Sequence, residues 1–119
     1  MTPRFTSSVA TNSAALEIDL AAIPAHHVVS GNPRSGSAKI GTFADIEVGI
    51  WEHSAGTSTD IEVDEVFIVI SGSATIDFIN PKSPSLTVVA GDVVRLTAGT
   101  QTRWTVPQKL RKIYLVVAD

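Results

Sequence analysis

The sequence predicts an all-β domain folded as a sandwich or a barrel, and three observations support this prediction. About nine short segments have the length and the apolar alternation of β-strands. Clusters of glycine, proline, asparagine and serine separate these segments. No segment carries the 3.6-residue apolar period of an amphipathic helix. A closed or nearly closed barrel would protect the edges of so many strands.

The N-terminal region has the weakest pattern. Residues 1–13 are rich in serine and threonine and have no periodicity, so we expect a loose N-terminal segment before a domain over 14–119. Over 16–20, apolar and acidic residues alternate, which predicts a short strand. One helical turn over 19–23 is an open alternative.

His26 and His27 stand next to each other ahead of two valines. Neighbouring side chains of an extended segment point to opposite sides, so this pair is a poor chelator of one ion. We expect both to be ordinary loop or edge residues.

The next segments lead to a mixed strand. Residues 31–37 predict a turn-rich loop, 42–53 a strand and 54–58 a second loop. By the period of two, Glu52 shares the apolar face of that strand, whereas Trp51 and His53 lie on the opposite face.

The central strand, over 65–70, contains an unbroken apolar run and is predicted to be buried on both faces. Extending its alternation upstream gives one face that carries Thr59, Ile61, Val63, Glu65, Phe67 and Val69. The other face carries Asp60, Glu62 and Asp64, which we expect in solvent. Glu65 is then the one carboxylate among bulky apolar side chains, and burial of an acid is costly unless it is paired.

The remaining strands are predicted over 73–79, 86–89, 93–96, 102–106 and 111–117, with turns between them. On the strand over 102–106, one face carries Thr102, Trp104 and Val106. Tyr114 and Val116 lie opposite Ile113, Leu115 and Val117 on the last strand.

Two stretches resemble the paired motifs of the cupin family. Glu65 and Gly72 fit the E-x6-G end of the first motif, and Gly91 and Gly99 fit the second. The resemblance implies a single-domain cupin, an all-β jelly-roll barrel of the double-stranded β-helix type. It also locates the usual metal ligands at Thr59, Ile61, Glu65 and Thr102, or with another spacing at Ser58 and Asp60 for the first two. Three of the four ligands of metal-using cupins are therefore replaced.

The chain is also similar to the branch of small RmlC-like cupins related to the cupin domain of (S)-ureidoglycine aminohydrolase. This similarity covers roughly residues 41–117 and lies in blocks that occur in the same order: Gly49-Ile50-Trp51-Glu52, Asp64-Glu65, Gly91-Asp92, Arg103-Trp104-Thr105-Val106 and Arg111-Lys112-Ile113-Tyr114. It implies a ureide-, amine- or sugar-like metabolite as the ligand, without choosing among them.

Charge and composition exclude several classes of partner. The net charge is −3 and there is no basic cluster, which argues against nucleic acid and anionic membranes. There is no cysteine, and no apolar run is long enough to span a membrane. We expect a cytoplasmic protein without a cofactor and without a bound metal, because one carboxylate and two hydroxyls make a poor metal site. Whether a non-standard site uses His53 or Glu52 stays open at this stage.

The candidate site centres on Glu65 as a polar anchor and Trp104 as an apolar wall. The other predicted ligand-binding residues share the interior faces of the strands or the cupin positions: Thr59, Ile61, Thr102, Lys112, Trp51, Phe67 and Tyr114. Glu65 and Glu52 together would supply a general acid or base. Alternatively, each pairs with a cation such as Lys112 or Arg103 and has a structural role.

Three functions follow from these observations. The first is a metal-independent protein that binds a small polar metabolite in the barrel, and the second is an enzyme that uses Glu65 or Glu52 as acid or base. The third is a dimeric scaffold with a filled barrel. A homodimer is predicted because Val66, Ile68 and Ile70 make the second face of the central strand apolar as well, and either a second subunit or the segment 16–20 must cover it.

Overall fold

A computed structural model describes residues 6–117 of the chain. The first five residues of the predicted loose segment lie outside this range. Within it, the chain forms strands β1 (Ala21–Ala22), β2 (Val28–Ser30), β3 (Arg34–Phe43), β4 (Ile46–Ile61), β5 (Glu65–Asn80), β6 (Ser83–Val89), β7 (Val93–Leu96) and β8 (Gln101–Val117), with a single 3₁₀ turn at Ala25–His27. The predicted all-β class is confirmed. No helix in this part of the chain is long and apolar enough to cross a membrane.

All strand pairs are antiparallel, and the sheet runs in the order β1-β3-β4-β8-β5-β6. Strand β2 pairs with the C-terminal part of β4, and β7 pairs with the N-terminal part of β5. The three longest strands bend at irregularities, for example between Gly72 and Thr75. Gly72 has φ 78°, and a Cβ there would overlap the carbonyl oxygen of Lys109, so glycine allows this bend.

The core lies between the two halves of the bent sheet. Its buried members come from β5, β6, β7 and β8, with Trp51 and Phe78 packed against them: Phe67, Val69, Ala74, Ile76, Val88, Val94, Leu96, Trp104, Val106 and Leu110. Burial of these side chains is the main stabilising contribution to the fold.

Consecutive residues of β8 face opposite sides of the sheet, as the period of two requires. Lys112 lies opposite Trp51 and Val69 on the inner face. Arg111 lies opposite Glu52 on the outer face and donates to Glu52 Oε1 at 3.0 Å. Its guanidinium also donates to the main-chain carbonyls of Ser13 and Leu16, which attaches the N-terminal segment to the outside of the barrel.

Several predicted boundaries were wrong, and glycine is the main reason. The predicted loop over 31–37 contains the start of β3, and the predicted loop over 54–58 lies within β4. A Cβ at Gly36 would overlap the carbonyl oxygen of Asp19, and a Cβ at Gly56 would crowd Pro33. These glycines therefore permit close approach of two segments, where the sequence pattern indicated turns.

The predicted strand over 42–53 is two strands. A tight turn at Ala44 and Asp45, both with positive φ, joins β3 to β4. The alternating residues 16–20 form no strand and no helical turn, because this segment runs across the outer face and is held there by Arg111.

The chain leaves the sheet between β4 and β5, at residues 62–64. There the main chain of Glu62 bonds to Thr100 and Gly99 in the turn before β8, at 2.8 Å in both cases. The strand alternation restarts at Glu65, so the predicted common face over 59–69 was wrong. Ile61 and Val63 are 62% and 55% exposed, whereas Glu62, which was expected in solvent, is only 6% exposed.

Candidate functional site

A cavity of about 410 Å³ lies on the inner face of the sheet. Strands β4, β5 and β8 supply most of its wall, and the 62–63 connection, the segment 23–27 and Ser35 of β3 complete it. The residues that line it are Ile23, Pro24, His27, Ser35, Trp51, Ser58, Thr59, Asp60, Ile61, Glu62, Val63, Glu65, Trp104, Lys112, Tyr114 and Val116.

Lys112 and Glu65 form a buried ion pair in this cavity. The Nζ of Lys112 lies 2.7 Å from Glu65 Oε2, and both side chains are almost fully buried. Three aromatic rings surround the ammonium, with centroids 4.4 Å away for Phe67, 4.7 Å for Trp51 and 4.9 Å for Trp104. Each ring presents its electron-rich face to the cation, which adds to the attraction of the carboxylate. The pairing that the sequence predicted for Glu65 is confirmed.

Glu62 is the residue that sequence reasoning missed. Its Oε2 accepts a hydrogen bond from Thr102 Oγ1 at 2.6 Å and one from the Trp104 indole at 2.9 Å. The indole nitrogen also lies 3.1 Å from Thr102 Oγ1, so the three groups form one buried network. Thr102 was expected beside Glu65, and its carboxylate partner is instead Glu62. Thr102 bonds to Glu62 and not to Glu65 because the chain leaves the sheet at residue 62.

Asp60 adds a third carboxylate at the rim of the cavity. It lies opposite Thr102 in the register of β4 and β8, which places it on the inner face. Much of the residue is exposed, yet the surrounding protein desolvates its carboxylate and raises its pKa, and the charge of Glu62 adds to this effect. The main-chain N–H of Ile61, which donates at 2.8 Å, and the charge of Lys112 act in the opposite direction.

His53 and Ser58 form a second buried pair, at the wall formed by β4. His53 Nε2 lies 2.8 Å from Ser58 Oγ, and His53 Nδ1 lies 2.6 Å from the carbonyl oxygen of Ser54. Burial lowers the pKa of His53, and the bond to Ser54 opposes this shift only in part. Trp51 packs against the imidazole at a centroid distance of 5.4 Å.

Glu52 does not share the site with Glu65, and the predicted catalytic pair of these two residues is wrong. Glu52 points to the outer face, where it is paired with Arg111 at 3.0 Å. Arg103, the other predicted cation, lies 3.4 Å from Asp77 on the exposed side. The reason is that Glu52 and Trp51 are neighbours on one strand, and only Trp51 faces the cavity.

The other predicted site residues divide into two groups. Trp51, Thr59, Ile61 and Tyr114 line the cavity, although Ile61 is largely exposed at its rim. Phe67 is fully buried beneath Lys112 and belongs to the core. Tyr114 donates to Glu47 Oε2 at 2.7 Å, and its pKa is raised by burial first and by this bond second.

His27 also reaches the cavity, although the sequence indicated an ordinary loop residue. The 3₁₀ turn at Ala25–His27 brings its Nδ1 to 3.3 Å from Thr59 Oγ1. No periodic signal marks a residue in such a short irregular segment.

An antiparallel barrel of bent long strands around an internal cavity defines the cupin class of proteins. The family model for the EutQ-like cupin domain matches residues 43–114, and the chain belongs to this family within the RmlC-like cupins. The predicted cupin barrel is thereby confirmed. No match was found among curated proteins.

Solved structures with the same fold include two EutQ proteins. The EutQ protein of Salmonella typhimurium LT2 is 18% identical with a TM-score of 0.61, and the match covers 72% of each chain. The Clostridium difficile EutQ protein is 21% identical with a TM-score of 0.62, over 73% of this chain and 65% of that one. A DUF861 protein of unknown function from Pseudomonas syringae pv. tomato DC3000 is 23% identical with a TM-score of 0.65, over 85% of this chain and 44% of that one.

Metal-using cupins raise the question of whether this cavity fits a transition metal. Among residues 6–117, no group of three or more histidine, cysteine, aspartate or glutamate side chains is arranged to hold an ion. Glu65 is engaged by Lys112, and Glu62 by two donors. Both nitrogens of His53 are hydrogen-bonded, and Glu52 faces outward. The donor set does not fit a transition metal.

Proposed function

We propose that the protein binds a small amine-bearing polar metabolite in its barrel, without a transition metal. The observation that carries this proposal is the charge of the cavity. Asp60, Glu62 and Glu65 bring three carboxylates, and Lys112 is the one lysine or arginine among the described lining residues. Because Lys112 is already paired with Glu65, the remaining carboxylates favour a ligand with a positive charge.

The walls of the cavity support the same class of ligand. Trp51 and Trp104 lie 5.6 Å apart between ring centroids and give the cavity an aromatic side. Aromatic walls with a few well-placed polar groups are typical of small-molecule sites. The faces of these two rings already hold the ammonium of Lys112, which shows that the aromatic side of the cavity accommodates an ammonium group.

The resemblance to the (S)-ureidoglycine aminohydrolase branch, carried by the sequence blocks named above, is compatible with an amine or a ureide and does not choose between these and a sugar. Of the two EutQ relatives, the Salmonella typhimurium protein is named for the utilization of ethanolamine, which is an amine. At their low identity this is an analogy of fold, and the choice of ligand class depends on the cavity.

A second candidate is an enzyme that works on the same metabolite by acid–base catalysis. The observation in its favour is Asp60, which lies at the rim of the cavity. Its pKa is raised, which brings the pKa closer to neutral pH. Asp60 therefore replaces Glu52 and Glu65 as the best general acid or base. Turnover of a bound amine, lost in Asp60→Asn while binding persists, would establish this reading.

Thermal unfolding in the presence of small probes tests the binding proposal. Ethanolamine and glycinamide are cationic probes, and ethylene glycol and N-acetylethanolamine are uncharged ones. A ligand that binds only the folded state raises the melting temperature. At a hundredfold excess over its Kd, it adds about 2.7 kcal/mol to the free energy of unfolding. We expect the cationic probes to raise it and the uncharged ones to leave it unchanged.

Glu62→Gln should abolish this increase, whereas the matched control Asp45→Asn, which removes a carboxylate from an exposed turn, should retain it. A filled scaffold would show no increase with any probe. An equal increase with charged and uncharged probes would contradict the proposed ligand class.

A further inference from the structure

The cavity wall contains a serine whose hydroxyl is bonded to a histidine. Ser58 lines the cavity and is 6% exposed, and His53 behind it is 1% exposed. The 2.8 Å contact joins Ser58 Oγ to His53 Nε2. The binding function proposed above makes no use of either residue.

The surroundings of His53 determine which ring nitrogen carries the proton. A main-chain carbonyl can only accept a hydrogen bond, so Nδ1, at 2.6 Å from the Ser54 oxygen, carries the hydrogen. In the neutral ring Nε2 is then an acceptor, and the Ser58 hydroxyl donates to it. A serine whose proton is directed at an oriented imidazole is the arrangement of an activated nucleophile and its general base. Here a main-chain carbonyl occupies the orienting position that a carboxylate holds in a triad.

The electrostatics of the buried ring agree with this role. Because burial lowers the pKa of His53, the imidazole is neutral at physiological pH and free to take a proton. The Ser54 carbonyl, which accepts from Nδ1, is the group that stabilises the imidazolium formed during the proton transfer.

We propose that Ser58 is a nucleophile and His53 its general base for acyl transfer from small esters or amides that carry a cationic amine. The substrate class rests on the proposed function, because the acidic cavity selects the amine. The nucleophile itself rests only on the contacts of Ser58 and His53.

The reaction balances with water as the co-reactant. Ser58 Oγ forms a bond to the acyl carbon while its proton passes to His53 Nε2. The tetrahedral intermediate collapses, the bond to the leaving alcohol or amine breaks, and the leaving group takes the proton from Nε2. Water then attacks the acyl-serine, gives its proton to Nε2 and releases the acid, and Ser58 recovers the proton.

A purely structural role for the pair is the competing explanation, because His53 and Ser58 flank the irregularity between Ser54 and Gly56. A structural pair would hold the two halves of β4 together and would have no reactivity. Covalent labelling separates the two roles, since it responds to nucleophilicity and not to stability.

The first experiment treats the full chain with a small fluorophosphonate and follows its intact mass and peptide map. We expect one phosphonyl group on Ser58, no labelling of Ser58→Ala, and a rate lowered by roughly 10²-fold or more in His53→Gln. Ser37→Ala, on an exposed part of β3, should label like the natural chain. An unlabelled natural chain, or a label that persists in Ser58→Ala, would overturn the proposal.

The second experiment remains informative if Ser58→Ala is poorly folded. The natural chain contains no cysteine, so Ser58→Cys introduces one unique thiol. We expect iodoacetamide to alkylate this thiol faster in the presence of His53 than in the Ser58→Cys, His53→Gln double variant. Equal rates in two folded variants would rule out activation by His53.

The two proposals fail separately. If ethanolamine still raises the melting temperature but Ser58 is not labelled, only acyl transfer is excluded. If Ser58 is labelled but cationic and uncharged acyl esters react at the same rate, only the amine selectivity is excluded.

Discussion

The ammonium of Lys112 lies 2.7 Å from the carboxylate of Glu65 and within 4.9 Å of three aromatic ring centroids. Both groups are removed from water, and Glu65 supplies the counter-charge of Lys112. The pair is therefore important for folding even though its net contribution over an apolar pair is small.

Replacing Glu65 by Gln should destabilise the protein by about 3–5 kcal/mol, because it leaves a buried ammonium without a counter-charge. The double variant Glu65→Gln, Lys112→Met should recover much of this loss. Urea unfolding of the natural chain, both single variants and the double variant gives the coupling energy. Additive effects would show that the two groups do not interact.

Glu62 should be the second most sensitive polar residue of the cavity. Glu62→Ala removes the acceptor of Thr102 and Trp104, and we expect a loss of about 1–3 kcal/mol. Glu62→Gln retains an acceptor oxygen and should lose less. Chemical unfolding measures both, and equal stabilities of the natural chain and Glu62→Ala would contradict the network.

Stability should fall as the pH is lowered below 6.5, partly because of His53. Its folded pKa is lowered, so the unfolded chain binds more protons between that pKa and 6.5, and unfolding is favoured as the pH falls through this window. Asp60 has the opposite effect on stability. Its raised pKa stabilises the folded chain at low pH, and this stabilisation is lost as the pH rises above 3.8. Unfolding free energies against pH should show a shallower acid slope for His53→Gln than for the natural chain. An unchanged slope would indicate that His53 titrates alike in both states.

The purified protein should hold no stoichiometric transition metal, because the donor set of the cavity does not fit one. Elemental analysis after purification without a chelator or a histidine tag measures this directly. About one metal per chain, lost in Glu65→Ala, would overturn the metal-independent proposal.

We also expect a homodimer. Phe43, Ile46 and Val117 are register partners across β3, β4 and β8, and Phe43 and Val117 are 70% and 61% exposed. An exposed apolar row of this kind is unusual on a monomer. Light scattering at micromolar concentration should give twice 12.6 kDa, and Phe43→Glu should give one chain mass without unfolding. A natural chain of 12.6 kDa would exclude the dimer.

Sequence reasoning succeeded where a strand continues and failed where it is interrupted. The period of two correctly placed Glu65 and Phe67 inside and separated the two faces of β8. The same rule assigned Glu62 to solvent, because three residues outside the sheet reset the alternation and carry no apolar signal of their own.

Contacts that do not follow the strand period were the other limit of prediction. The 53–58 pair required His53 and Ser58 to meet across an irregularity within one strand, which a two-residue period cannot represent. Gly36 and Gly56 were read as turn signals because the chain segments that pack against them are distant in the sequence or lack a pattern.

Lys112 has a consequence for selectivity. It acts as a competitor that is covalently attached to the protein, so its effective concentration at Glu65 does not depend on the concentration of free metabolites. A free amine that seeks Glu65 must displace this resident cation, whereas one that engages Glu62 and Asp60 need not. If the proposed amine binds, this attached cation sets an affinity threshold at Glu65, and it favours ligands that engage Glu62 and Asp60.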